Sequence, residues 1–261
     1  MDMRLRALLA LMLVAPDDKL AAVAALAEDT RAGGRIDTAT QLQATLPLPG
    51  RPARPRLVPP AAVPRRSPTT REGRAALMHA VAHIEFNAIN LALDACWRFE
   101  GLPEAYYREW IHIAAEEAQH FGLVRGHLRR LGHDYGDFDA HNGLWEMVEK
   151  TATDVTARMA LVPRTLEARG LDATPPMQRK LAQAGDHDAV AVLDVILRDE
   201  VGHVAVGNHW YRWLCTRASL DPVSHYATLV ERYRAPRPKG PFNLEARARA
   251  GFTAEELGRL E

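Results

Sequence analysis

The sequence has few cysteines, no excess of either charge and no long apolar run. Its 261 residues contain two cysteines, Cys96 and Cys215, which are far apart and form no CxxC pattern. A disulfide framework is therefore not expected, and we expect a cytoplasmic protein. Lys plus Arg and Asp plus Glu both number 33, so no global field recruits nucleic acid or an anionic membrane. No stretch reaches the roughly 20 apolar residues that a membrane span needs.

The first residues resemble a targeting signal only faintly. Arg4 and Arg6 precede an apolar run that ends at Pro16, and a second amphipathic stretch follows at once. We interpret residues 3–31 as a helical hairpin, not as a secretory leader that is cleaved.

Residues 46–69 are rich in proline and arginine. Eight prolines in this range rule out a helix or a central strand, so the segment is expected to be extended. Its basic residues are Arg51, Arg54, Arg56, Arg65 and Arg66. The favoured interpretation is a strap that lies on the surface of a helical bundle. The alternative is an arm that contacts phosphate or RNA.

From residue 70 onwards, apolar residues recur at steps of three and four, which is typical of amphipathic helices. Gly170 is expected to end the third long helix, and Pro175 with Pro176 to open a short one. No stretch has the two-residue period of a strand. The predicted helices span about 70–100, 104–131, 143–169, 176–184, 187–216, 221–233 and 253–260.

These elements predict an all-α fold, a four-helix bundle made of two antiparallel hairpins with a crossover between them. The N-terminal helical hairpin, the extended proline-rich strap and short C-terminal helices accompany the bundle. The predicted division of the chain is 1–69 for the N-terminal helices and strap, 70–216 for the bundle and 217–261 for a C-terminal extension.

Two Glu-x-x-His motifs are candidates for metal binding. One runs from Glu117 to His120, and the other runs from Glu200 to His203. Residues three apart lie on one face of a helix, so each motif presents a carboxylate and an imidazole that can grip one metal ion. Two such helices can hold two ions if two further helices each supply a carboxylate.

The spacing of glutamates along the chain supplies these carboxylates. Glu85 precedes Glu117 by 32 residues, and Glu167 precedes Glu200 by 33. In an antiparallel hairpin, such spacing brings both residues to the same height. Glu85 also interrupts an apolar stripe that includes Ile84, and a lone carboxylate facing a core is costly unless it is paired or binds metal.

Two residues of the third long helix could supply the fourth carboxylate. Glu167 follows Pro163, so its orientation depends on a kink. Asp154 competes for the same role, but it precedes Glu200 by 46 residues, too many for a matched hairpin. Glu167 is therefore favoured.

The predicted centre holds two metal ions, and its four carboxylates and two imidazoles favour iron, or iron with manganese. No catalytic residue beyond the metal centre and no other cofactor is predicted. The predicted ligands are Glu85, Glu117, His120, Glu167, Glu200 and His203.

Each motif glutamate follows another acid. Asp199 is predicted to accept a hydrogen bond from the His120 ring nitrogen that does not bind metal, and Glu116 is predicted to do the same for His203. The alternative for both acids is a side chain that faces solvent. Near Glu167, Arg158 and Arg164 either pair with acids or contact an anionic substrate, and the sequence does not decide between these.

Several segments resemble the ferritin-like superfamily: LPGRPARPRLVPP, HAVAHIEFNAINLALDA, EEAQHF, VPRTLEARGLDATPP and DEVGHVAVGNHWY. Residues 3–215 are most similar to a bacterial family of that superfamily catalogued as a domain of unknown function. This resemblance implies the bundle and the six ligands, but no substrate. A more distant resemblance is to tRNA-modifying di-iron hydroxylases, which act on an isoprenoid side chain of a purine.

The expected function is an O2-dependent oxidoreductase or monooxygenase that acts on an organic substrate. Its expected partners are a small-molecule or tRNA-borne substrate and an electron-donor reductase, in a monomer or a small homo-oligomer. Three alternatives stay open: a ferroxidase or peroxide-handling protein without an organic substrate, a tRNA-modifying hydroxylase, and a metal-dependent hydrolase.

Overall fold

The computed structural model describes residues 1–64 and 66–260. Over these residues the chain is helical and contains no β-strand, which confirms the predicted all-α class. A 3-10 turn spans Pro60–Ala62, and a π-helix spans Val162–Glu167. The α-helices are α1 Met3–Met12, α2 Pro16–Arg31, α3 Arg71–Arg98, α4 Glu104–Arg130, α5 Gly143–Lys150, α6 Val155–Leu161, α7 Ala168–Gln183, α8 His187–Arg217, α9 Pro222–Arg232, α10 Leu244–Arg249 and α11 Ala254–Gly258.

The chain folds into two compact units, Met1–Asn142 and Gly143–Glu261. Each unit contains a helical hairpin, α3 with α4 in the first and α7 with α8 in the second. The first matches the predicted pair, whereas the second differs from the prediction, which paired a helix at 143–169 with α8. The finer division of the chain at residues 69 and 216 stays a prediction. No helix in the described ranges is long and apolar enough to cross a membrane.

In the first unit, α3 and α4 form a hairpin with clear start and stop signals. The Thr70 side chain caps α3 by accepting a hydrogen bond from the Gly73 backbone N–H. Gly101 turns the chain with a positive φ of 74°, and α4 begins directly after Pro103. Helix α1 packs on α3, and α2 packs on α4. The predicted apolar stripe of α3 was wrong at Ile84, which is 46% exposed.

Two buried cations tie the N-terminal segments to α3. Arg4 donates to the backbone carbonyls of Asp37, Thr40 and Trp97. Lys19 is fully buried, and its ammonium donates to carbonyl oxygens and to the side chain of Asn90 on α3. The N-terminal hairpin therefore belongs to the core of the first unit.

The proline-rich strap is anchored within the first unit by backbone and side-chain contacts. The Val58 N–H donates to the Ala140 carbonyl, and the Ala140 N–H donates to the Arg56 carbonyl. The Arg56 guanidinium forms a bidentate ion pair with Asp139. Arg65, one of the five basic residues of this segment, lies outside the described residues.

The predicted single helix at 143–169 was wrong, because the chain forms α5, α6 and the π-helix there. Asp154 starts a new helix by accepting a hydrogen bond from the Ala157 N–H, so this carboxylate is an N-cap. Pro163 has no N–H to complete the α-helical pattern, and the π-helix forms around it.

Gly170 does not end a helix, which also corrects the prediction. It lies inside α7, which continues through Pro175 and Pro176 to Gln183. Both prolines lack a backbone donor, but Leu171 and Leu181 on α7 are fully buried and offset the lost hydrogen bonds. The C-terminal helices join this core, since Ala246 and Ala250 pack in one cluster with α7 and α8.

Candidate metal centre

Three predicted ligands meet inside the first unit. Glu85 comes from α3, and Glu117 and His120 come from α4. One ligating atom from each residue lies within 4.8 Å of the others, and all three residues are buried, with exposures of 2%, 1% and 1%. This separation matches a group of ligands that surrounds one ion, so the cluster can hold a metal.

The helical hairpin explains how these residues come together. Glu117 and His120 are three apart and share one face of α4. Glu85 approaches that face from α3, which packs along the length of α4. His120 Nδ1 lies 3.3 Å from Glu117 Oε2 and 3.3 Å from Glu85 Oε2.

The electrostatics of this cluster favour a bound cation. Burial and the neighbouring charge of Glu117 raise the pKa of Glu85 to about 8. Burial alone would lower the pKa of His120, but its interactions with Glu117 and Glu85 outweigh burial and raise the pKa to about 11. Without metal, the cluster therefore holds protons that compensate for its buried carboxylates. A divalent ion would replace these protons, and oxygen and imidazole donors suit iron or manganese.

In the second unit, Glu200 and His203 are both buried on one face of α8. His203 Nδ1 lies 4.0 Å from Glu200 Oε2. A Cβ added at Gly170 on α7 would lie 4.0 Å from the Glu200 carboxyl carbon, so this carboxylate faces α7.

Glu167 is the one predicted ligand that does not lie on α3, α4 or α8. It is the last residue of the π-helix and is 9% exposed. No trio of metal-ligating atoms within 4.8 Å of one another includes Glu167 in the part of the chain that the structure describes. Its role as a ligand stays a prediction.

The two acids predicted to support the histidines have visible partners on their own helices. Asp199 pairs with Arg198 at 2.9 Å, and Glu116 lies 3.5 Å from His112. These contacts do not test the predicted support of His120 by Asp199 or of His203 by Glu116. Both roles stay predictions.

Tyr135, which is not among the predicted site residues, packs against two residues that are adjacent in the sequence to Glu85 and His120. Its ring centroid lies 5.3 Å from that of Phe86 and 5.1 Å from that of Phe121, the residues that follow Glu85 and His120. Its hydroxyl is 3.0 Å from His83 Nδ1, and burial raises its pKa. Tyr135 lies in a turn with no periodic pattern, so no local signal marks it.

Comparison with known proteins gives two matches and one negative result. Residues 13–258 match the profile of the family described as "Protein of unknown function (DUF455)". An "Uncharacterized protein" of Haemophilus influenzae (strain ATCC 51907 / DSM 11121 / KW20 / Rd) is 55% identical over 215 residues, which cover 79% of this chain and 74% of the relative. No solved structure matches the chain. Since the family profile spans nearly the whole sequence, the chain belongs to the DUF455 family.

Proposed function

We propose that this protein is a ferritin-like di-metal carboxylate protein that uses O2 to oxidise an organic substrate. The observation that carries the proposal is the buried cluster of Glu85, Glu117 and His120. Buried carboxylates are costly unless a cation compensates them, and this cluster contains two carboxylates for one imidazole. Iron, or iron with manganese, suits this set of donors.

The second half of the centre is proposed from the repeated motif. Glu200 and His203 repeat the Glu-x-x-His pattern of Glu117 and His120, and each motif has a glutamate about 32 residues before it. Bundles that bind two metal ions use this pattern, with one carboxylate from each of two helices and a Glu-x-x-His motif from each of the other two. We therefore propose that Glu167, Glu200 and His203 complete the centre.

The side chains have separate tasks in this proposal. A bound pair of redox-active ions would supply the electron transfer that O2 chemistry requires. Glu85 and Glu117 would neutralise positive charge, and His120 would give up only the proton on the ring nitrogen that serves as the ligand. Burial of all three residues keeps bulk water away from the cluster, which strengthens each charge interaction.

The proposal is tested by O2 uptake. Protein loaded with Fe(II) without air is mixed with oxygenated buffer and a chemical reductant, and the dissolved O2 is followed. We expect uptake by the unaltered protein and little uptake by the double variant Glu117→Gln/His120→Gln. The matched control is Glu104→Gln/His112→Gln, which changes an acid and a histidine on the same helix whose side chains are 53% and 69% exposed.

The outcomes separate the alternative functions. Fast uptake that stops once the iron is oxidised, without reductant turnover, would favour a ferroxidase. Hydrolysis of ester or phosphate substrates by zinc-loaded protein without air would favour a hydrolase. If the double variant consumes O2 as fast as the control, the buried cluster is not the reactive centre and the proposal is wrong.

A further inference from the structure

The second unit contains a cavity that the proposed metal chemistry does not use. It has a volume of about 370 Å³, within the range of about 300–1,000 Å³ that small-molecule sites occupy. Apolar side chains of α9, such as Val223 and Val230, form part of its wall, together with Phe252. Four arginines also line the cavity: Arg164, Arg237, Arg247 and Arg259.

Arg164 lines this cavity, and one nitrogen of its guanidinium lacks a hydrogen-bond acceptor in the described part of the chain. The residue is 4% exposed and belongs to the π-helix. Its Nη1 donates to Asn208 Oδ1 at 3.2 Å, and its Nη2 donates to Glu256 Oε1 at 2.6 Å. Its Nε is buried and has no hydrogen-bond acceptor among the described residues. A buried donor without an acceptor is costly, so a ligand oxygen here would be favourable.

Aromatic rings hold this guanidinium in place. The Arg164 guanidinium carbon lies 4.9 Å from the ring centroids of both Tyr226 and Phe252, and 5.1 Å from that of Tyr211. These contacts restrict the side chain in advance, so a ligand would not have to order it. The rings also give the wall an apolar surface next to the charge.

The charge balance of the cavity is positive although the chain as a whole is neutral. Glu256 also lines the cavity, and Asp172 neutralises Arg247. Arg237 makes no hydrogen bond or ion pair within residues 1–64 and 66–260, and Arg259 pairs with Glu255, whose side chain is 63% exposed. Arg237 is therefore available to a ligand, and Arg259 holds only an exposed ion pair, which is weak in water.

We infer that this cavity binds a small organic anion, with its carboxylate or phosphate group on the arginines and its apolar body against α9 and Phe252. Arginine pairs with either group through charge-assisted hydrogen bonds. The inference does not depend on the proposed metal chemistry. Arg164 and Glu167 belong to the same π-helix, so the ligand would contact the element that carries a candidate metal ligand.

Calorimetric titration of the full-length protein with octanoate, octyl phosphate, octanol and inorganic phosphate tests this inference. We expect one of the two amphiphilic anions to bind at least about tenfold more tightly than octanol and inorganic phosphate. Tighter binding of octanoate would identify a carboxylate site, and tighter binding of octyl phosphate would identify a phosphate site. Arg237→Gln should weaken anion binding by about fivefold or more, since one charge-assisted contact is lost.

Two pairs of matched variants test whether the anions bind in this cavity. Arg232→Gln changes an exposed arginine of α9 that does not line the cavity, and it should bind as the unaltered protein does. Ala227→Trp fills the cavity from an exposed position of α9 and should abolish binding, whereas Thr228→Trp beside it should not. Equal binding of octanol, equal effects of Arg237→Gln and Arg232→Gln, or unchanged binding in Ala227→Trp would each overturn the inference.

Discussion

His120 Nδ1 lies 3.3 Å from Glu85 Oε2, so an imidazole of α4 meets a carboxylate of α3 inside the first unit. This contact links the folding of the hairpin to the assembly of the cluster, because Glu85 comes from α3 and His120 from α4. Metal binding should therefore stabilise the pairing of these helices.

Replacing Glu85 with glutamine should weaken metal binding without unfolding the protein. Glutamine keeps the shape of the side chain but loses the negative charge that balances a divalent ion. We expect the Co(II) or Fe(II) affinity to fall at least about tenfold, the scale seen even for groups that only support a ligand. The measurement is a metal titration beside Glu104→Gln, and equal affinities in the two variants would show that Glu85 is not a ligand.

Metal binding should release protons at neutral pH. The pKa of Glu85 is raised to about 8 and that of His120 to about 11, so at pH 7 both groups of the metal-free cluster carry protons. Both must lose them to act as ligands, so metal affinity should rise between pH 6 and pH 8. Calorimetry in two buffers of different ionisation enthalpy measures this release. A binding heat that does not depend on the buffer would contradict the prediction.

Adding a methyl group at Gly207 should disturb the π-helix. A Cβ there would lie 2.6 Å from Pro163 Cβ, which is closer than carbon atoms approach. We expect Gly207→Ala to lower the free energy of unfolding by about 1–3 kcal/mol. Gly202→Ala on the same helix meets nothing within 4 Å and should be neutral or stabilising by up to about 1 kcal/mol.

Chemical denaturation of both glycine variants gives the comparison. If Gly207→Ala were as stable as Gly202→Ala, α8 would not pack against Pro163 as described. Metal content should fall in Gly207→Ala alone, if Glu167 on the π-helix is a ligand.

Removing the buried ammonium of Lys19 should destabilise the first unit. Lys19 Nζ donates to Gly50 O at 2.7 Å and to Asn90 Oδ1 at 2.5 Å. Lys19→Met would leave these acceptors without a donor, at a cost of roughly 1–3 kcal/mol. Thermal unfolding should show a lower midpoint for Lys19→Met than for Lys150→Met, which changes an exposed lysine. Similar midpoints would mean that the buried ammonium does not stabilise the first unit.

Local signals in the sequence were sufficient to predict the α3–α4 hairpin and the burial of Glu85, Glu117 and His120. The turn at Gly101 and Pro103 is encoded by adjacent residues, and the motif spacing reflects helix geometry alone. The error at Ile84 arose because one residue shifts a side chain by about 100° around a helix. Glu85, the next residue, points inward, and Ile84 lies beside the buried stripe.

Features that depend on distant residues could not be predicted. Pro163 marks a disruption, but the choice of a π-helix depends on packing against Gly207 of α8. Asp154 was a candidate ligand because it is an acid within the predicted third long helix. In the structure its carboxylate accepts a hydrogen bond from the Ala157 N–H, so it caps a helix. The basic cavity joins Arg164 to residues near the C-terminus, which no local pattern brings together.

Metal content tests the central claim most directly. Protein purified without chelators is analysed for elements beside two double variants, Glu117→Gln/His120→Gln and Glu200→Gln/His203→Gln, and the exposed control Glu104→Gln/His112→Gln. We expect about two iron or manganese ions per chain in the unaltered protein and the control, the number that bundles with this ligand pattern bind, and a loss of metal in both motif variants. Protein that contains no transition metal and takes up neither Fe(II) nor Mn(II) would contradict the account.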